Sequence, residues 1–365
     1  MRSRRLCAAL LAIGIPLSAA ACGHAAPRAP SAASTSRRSS SSTPASAGSA
    51  SSASRSSTAA PATPASSASA VSPPSSSSAG GAAGPLAVPV AVVMDNAPAA
   101  RPQSGLEDAD VVWEILAEGF ITRYFAIFSS RPSPQVGPVR SARIYFDQLD
   151  RAYGLPMAHA GGNVDALAWI GTWHLQNLDE IYGSGPYFWR STGRTAPDNL
   201  YTSTDLLEKA ARADGYSGPR PAEPAVGALP PGALPTTGVS LNYLTDPPVY
   251  TYVAGWKWES GAWVRTVNGA VAQMTDGDTV RAGTVYVLVV PDAPDPDPYT
   301  PGALKMLWSA GGKAWVLQNG ARVAGSWALD PAGLPQVTVG GKAVGSGGGP
   351  YWYEVVPTAG EVSFQ

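Results

Sequence analysis

The chain is short of the residues that usually announce a chemistry. Of 365 residues, two are cysteine and three are histidine. Both cysteines, Cys7 and Cys22, sit near the start, and no thiol follows them. That excludes cysteine nucleophiles, disulfides and cysteine-based zinc sites from the rest of the chain. His159 and His174 form no HExxH pair, so no metal site is expected. No GxSxG, P-loop or dinucleotide-binding glycine pattern occurs, and no cofactor is expected. No apolar run reaches the length of about 18 residues that marks a membrane-spanning helix. Acidic residues are missing from the first 84 positions, which hold seven of the 25 basic ones. The later residues therefore carry 18 basic groups against all 26 acidic ones. An acidic folded part argues against nucleic acid, whose binders need a basic face.

What is present at the start is an address. Arg2, Arg4 and Arg5 precede a short apolar run, Leu6 to Leu17, and then small residues. This order reads as a secretory signal peptide over 1–21. Ser18-Ala19-Ala20-Ala21-Cys22 resembles a bacterial lipobox, with Ala19 where leucine is usual. The resemblance implies cleavage before Cys22 and lipidation of its thiol, hence an extracytoplasmic protein held to the cell membrane. Residues 23–84 are almost wholly Ser, Ala, Pro, Thr and Gly, with no aromatic residue. Such a chain cannot bury enough apolar surface to offset its ordering entropy, so 22–84 reads as a lipidated, disordered tether. Its coil span is roughly 45 Å, suited to holding a domain within a cell-wall layer.

From Pro85 the pattern changes. VPVAVVM (88–94), 111–116 and 123–128 read as buried strands. Ser141 to Tyr153 reads as a helix stopped by Gly154, 156–160 as a short strand, 164–170 as a short helix, and Ser203 opens a last helix. Mixed elements make 85–217 an α+β or α/β domain. Residues 218–240 are Pro/Ala/Gly-rich and read as an interdomain linker. Short strands at 249–254, 262–267, 284–290, 313–317, 336–339 and 351–356 make 241–365 a small, mainly-β domain. Seven of the 11 tryptophans fall there. They either stack on glycans from the surface or fill a core poor in Leu and Ile. Residues 291–301 (PDAPDPDPYTP) read as an exposed acidic loop.

Several ordered motifs carry a family resemblance: MDNAPAARPQSGLEDADVVWEILAEGFITRYFAIF (94–128), VGPVRSAR (136–143), HAGG (159–162), YFWR (187–190) and APDNLYTS (196–203). Weaker continuations are GKAWVLQNGARVAGSW (312–327) and WYEVVP (352–357). Together they resemble the YerB-type lipoproteins, a family built on domains of unknown function. The resemblance implies a lipid-anchored envelope protein of two domains with no established activity. It implies a histidine before the Asn of the NLY motif, where this chain has Asp198. Asn199 and Tyr201 join the candidate surface through the resemblance alone.

Four groups of residues are candidates for function. Asp95 and Asn96 end a strand, where ligands bind in open α/β sheets, or they cap a turn. Glu114 and Glu118 could serve as acid and base on one cavity, or pair with Arg123, Arg140 or Arg143 as structural bridges. Arg140, Ser141 and Arg143 surround a helix start, with Ser141 as the natural N-cap, which makes an anion site or an internal pairing partner. His159 precedes two glycines and is a proton carrier or a satisfied structural residue. The leading reading is a binding or assembly role. Its pocket would be lined by acidic and arginine side chains, for a cell-wall or anionic small-molecule ligand. The alternative is a hydrolase or transferase of cell-wall polymer using Asp95, Glu114 or Glu118 with His159.

Overall fold

The structure, a computed structural model, describes residues 84–222, 224–243 and 252–365. The signal peptide, Cys22 and the tether up to residue 83 lie outside the described residues, as do residues 249–251 of the strand expected at 249–254.

The first half supplies β1 (Val90–Asp95), β2 (Val111–Leu116), β3 (Thr122–Phe128), α1 (Ile144–Tyr153), β4 (Met157–His159), α2 (Val164–Trp173), β5 (Asn177–Asp179) and α3 (Thr204–Ala213). The long strands of the second half are β6 (Gly238–Asn242), β7 (Val253–Glu259), β8 (Ala262–Val267), β9 (Thr284–Val289), β10 (Gly312–Gln318), β11 (Ala321–Leu329), β12 (Pro335–Val339) and β13 (Tyr351–Val356). A short terminal strand, β14 (Val362–Phe364), follows. The chain is α+β, with a mainly-β second half.

Local chemistry explains the boundaries. β1 is apolar at every position up to Asp95 because both of its faces are covered. Val90, Val92 and Met94 enter one core, while Ala91 and Val93 enter the other. Ser203 caps α3 by accepting the Leu206 amide at 3.2 Å. Gly154 ends α1 in the left-handed region, φ 67°.

The main sheet runs β12-β11-β10-β9-β13-β2-β3-β1-β4-β5, with a two-residue strand, Lys342–Ala343, beyond β12. Strands of both halves belong to it. β13 lies between β9 and β2, parallel to each, and sets Glu354 beside Glu114. A second sheet pairs β8, β7, β6 and β14 in that order. Helices α1 and α2 contribute to one core against the main sheet, and α3 and the second sheet to the other.

Two sequence expectations change, and one open alternative is resolved. Leu234–Pro235 of the expected linker pairs with β11, and Arg220 donates to the carbonyls of Ser129 (2.9 Å) and Leu86 (2.8 Å). The expected acidic loop contains a short strand, Asp292–Pro294, paired with Leu304–Met306. Its Asp295 is buried 3.1 Å from Lys305 Nζ. Among the second-half tryptophans, Trp256, Trp263, Trp308, Trp315, Trp327 and Trp352 are buried and Trp258 is half-buried. They fill core rather than present a stacking surface. Tight contacts there rely on glycine: a Cβ on Gly283 would fall 1.9 Å from the Gly348 carbonyl oxygen.

Candidate functional site

The candidate residues fall into four clusters instead of lining one cavity. At the carboxyl end of β1, Asp95 is buried and accepts the Ala97 amide at 3.1 Å. Its other oxygen lies 3.0 Å from Arg140 Nε. Asp198 joins them: burial, then the neighbouring Asp95 carboxyl, raises its carboxyl above the usual range. Arg194 is fixed nearby by donating to the carbonyls of Ala100 (2.7 Å) and Pro102 (2.6 Å), and its charge acts on Asp198. Asn199 supports this corner. It accepts from Arg190 and donates to the Ser191 carbonyl, each at 3.1 Å. Tyr201 stacks on Trp189, 6.3 Å between ring centres.

Glu118 stands apart from Glu114, because β2 ends at Leu116 and the chain turns. Glu118 binds Arg123 at 2.5 Å and accepts Arg143 Nε at 2.9 Å. Burial pushes its carboxyl up, but the two guanidiniums outweigh that and bring it down to about 2. Arg123 also donates to the Ser141 carbonyl at 3.2 Å. The expected N-cap is corrected here. Helix α1 begins at Ile144, with Arg143 as an extended N-cap residue. Ser141 does not cap it, because the Ala142 amide is held by the Gly161 carbonyl at 2.9 Å and the segment stays extended. Arg140 and Arg143 thus serve two different carboxylates.

His159 is fully buried at the end of β4. Nδ1 donates to the Gly161 carbonyl at 2.8 Å, and Nε2 meets the Asn177 side-chain amide at 2.6 Å. Asp179 lies 3.8 Å from Nδ1. Both ring nitrogens are engaged, by Gly161 and Asn177 rather than by Asp95, Glu114 or Glu118.

The fourth cluster is the one sequence reasoning missed. Glu114 and Glu354, neighbours across the paired strands, both bind Arg265 of β8. All three are at most 2% exposed. Glu114 also accepts Tyr252 at 2.5 Å, Thr122 at 2.6 Å and Asn96 at 3.3 Å. Glu354 accepts Trp256 Nε1 at 2.7 Å and the Tyr243 hydroxyl at 2.8 Å. Burial, offset in part by Arg265, leaves the Glu354 carboxyl at about 7. Asn96 therefore belongs to this network and turns away from its neighbour Asp95. One signal was available: VVWEIL, AWVRTV and YWYEVV each carry a single charge inside an apolar strand. A lone charge there demands a buried partner.

Residues 81–217 match the family described as protein of unknown function (DUF3048), N-terminal domain, and residues 239–352 match its C-terminal domain. The chain belongs to this family. It is 32% identical over 243 residues to YerB of Bacillus subtilis (strain 168), which its name assigns to the lipoproteins; the match spans 66% of this chain and 72% of YerB. The crystal structure of YerB from Bacillus subtilis superposes with a TM-score of 0.68 at 28% identity, covering 76% of this chain and 93% of that one. Among the described residues no helix is long and apolar enough to cross a membrane.

Proposed function

We propose that this chain is a lipid-anchored envelope protein that binds its ligand without transforming it. The anchor is Cys22, and the contact face is the corner formed by Asp95, Arg140, Arg194 and Asp198. One observation supports binding over catalysis. The candidate acid/base carboxylates are each matched by a guanidinium: Asp95 by Arg140, Glu118 by Arg123 and Arg143, Glu114 by Arg265. Such pairing takes up carboxylate oxygens that an acid or base would have to present to a substrate. Arg140 retains 27% side-chain exposure, so an anionic group of a cell-wall fragment can reach it. Arginine suits bidentate contact with carboxylate or phosphate.

A second reading has one observation in its favour. Burial, with the Asp95 carboxyl close by, raises the Asp198 carboxyl above its usual range. Such a pair could pass a proton to a substrate in a hydrolase or transferase.

Two variants test the proposal. Cys22→Ala should move the protein from the membrane fraction to the soluble one; continued retention counts against lipid anchoring. Arg140→Ala should weaken binding of a soluble cell-wall fragment by about tenfold or more with the fold intact. Unchanged binding would remove the proposed contact face.

A further inference from the structure

A cavity of about 240 Å³ lies against the buried Glu114–Arg265–Glu354 network, and its Pro102 and Gln103 wall borders the Asp95 corner. Arg101 and Arg265 both contribute to its wall, with Tyr124 beside them and apolar surface from Leu106, Met274 and Val280. Arg265 is 1% exposed. Its Nη1 is taken by Glu354 and its Nη2 by Glu114 and Tyr252. Its Nε–H has no hydrogen-bond partner among the described residues. A buried donor left empty is costly, and its place in a cavity wall marks a position for an acceptor.

The second guanidinium differs in charge balance. Arg101 packs over the Tyr252 ring, 5.0 Å from its centre, and its Nε–H is likewise buried and without a partner. Among the described residues no carboxylate forms an ion pair with Arg101, whereas two neutralise Arg265. The cavity therefore offers one unmatched positive charge at Arg101, one donor at Arg265 whose charge two carboxylates already take up, and apolar walls between. A dicarboxylate would bring a second negative charge toward Glu114 and Glu354 and be repelled. A neutral apolar molecule would leave Arg101 unmatched. Taking about 30 Å³ per water-sized atom, the space suits a body of roughly eight to ten non-hydrogen atoms.

We propose that this cavity is a binding site for a small monocarboxylate with a compact apolar body. Arg101 holds the carboxylate, and the Arg265 Nε–H donates to the ligand's remaining acceptor oxygen. The site adjoins the Asp95–Arg140 corner through Pro102 and Gln103, but the guanidiniums it uses, Arg101 and Arg265, are not those of that corner.

The test uses the purified full-length chain in detergent with phenylacetate as probe, followed by saturation-transfer NMR and thermal shift. Saturable binding with a Kd in the millimolar range or tighter is expected for a ligand of this size. The neutral analogue 2-phenylethanol and the dicarboxylate phenylmalonate should each bind about tenfold more weakly or not at all. Arg101→Gln should weaken phenylacetate by about tenfold. Met274→Trp, which fills the cavity, should abolish binding, with near-UV circular dichroism reporting the fold of each variant. Arg140→Ala should leave phenylacetate binding unchanged. Absence of saturable phenylacetate binding overturns the proposal. So does binding that 2-phenylethanol equals, or that folded Arg101→Gln retains in full.

Discussion

Replacing Arg265 by methionine keeps most of the side-chain stem and removes the charge that two buried carboxylates share. Glu114 and Glu354 are fully buried and adjacent across paired strands. Without the guanidinium, one of them must take up a proton or draw water into the core. Breaking a buried ion pair costs about 3–5 kcal/mol, and a cation serving two carboxylates belongs at the upper end. With an unfolding entropy near 2.1 cal/mol/K per residue, about 5 kcal/mol lowers the Tm of a fold this size by roughly 8 °C. The loss should depend on pH. Glu354 sits at about 7 in the folded chain against a usual 4.5, so the folded state already favours its protonated form. Stability from that group is full below the usual value and is lost as pH rises through about 7. Removing Arg265 raises it further, so the variant suffers more at alkaline than at acid pH. Urea unfolding of the full chain across pH is the assay. A loss below about 1 kcal/mol that does not grow with pH would refute the reasoning. Combining Glu114→Leu, Arg265→Met and Glu354→Leu should not restore stability, although simpler buried triads tolerate such swaps. Here Tyr243, Tyr252, Trp256, Asn96 and Thr122 would lose carboxylate acceptors, each at about 1–3 kcal/mol where it is left unpaired.

Glu118 gives the opposite pH signature. Its carboxyl, lowered to about 2 from 4.5, contributes stability above the usual value that is lost as pH falls through about 2. Glu118→Gln should therefore cost about 3 kcal/mol at neutral pH and converge with wild type in strong acid. Equal acid-unfolding curves would contradict the pairing with Arg123 and Arg143. Asp147 and Asp150 on α1 are buried, and neither Asp147 carboxyl oxygen has a hydrogen-bond partner among the described residues. Burial lifts both carboxyls well above their usual range, so the folded state favours their protonated forms. Their contribution is full below the usual carboxylate range and declines as pH rises through the raised values. The double variant Asp147→Asn, Asp150→Asn should gain on wild type as pH rises, measured by Tm; a constant difference would show that burial does not control these groups.

The elements were legible where one local signal sufficed. The apolar runs that became β1, β2, β3 and β13, and the Ser203 cap of α3, follow from periodicity and backbone chemistry. Pairing across distance was not legible. Arg265 and Glu114 are 151 positions apart, and nothing local to either names the other. The same holds for β13 slotting between β2 and β9, which merges both halves into one sheet. Residue types at the Asp95 corner were readable, and the partner of each was not. Asp95 takes Arg140 while Arg143, three positions on, takes Glu118, because the extended Ala142 segment turns the two guanidiniums apart.

Binding without turnover is the claim that matters most for function, and one measurement addresses it directly. Soluble cell-wall fragments are incubated with the full-length chain and with Arg140→Ala and Asp198→Asn, and their masses and bound fraction are read together. The proposal predicts fragments recovered at unchanged mass. Wild type and Asp198→Asn should retain them, and Arg140→Ala should release them. Fragments of altered mass that depend on Asp198, or retention unaffected by Arg140→Ala, would contradict it.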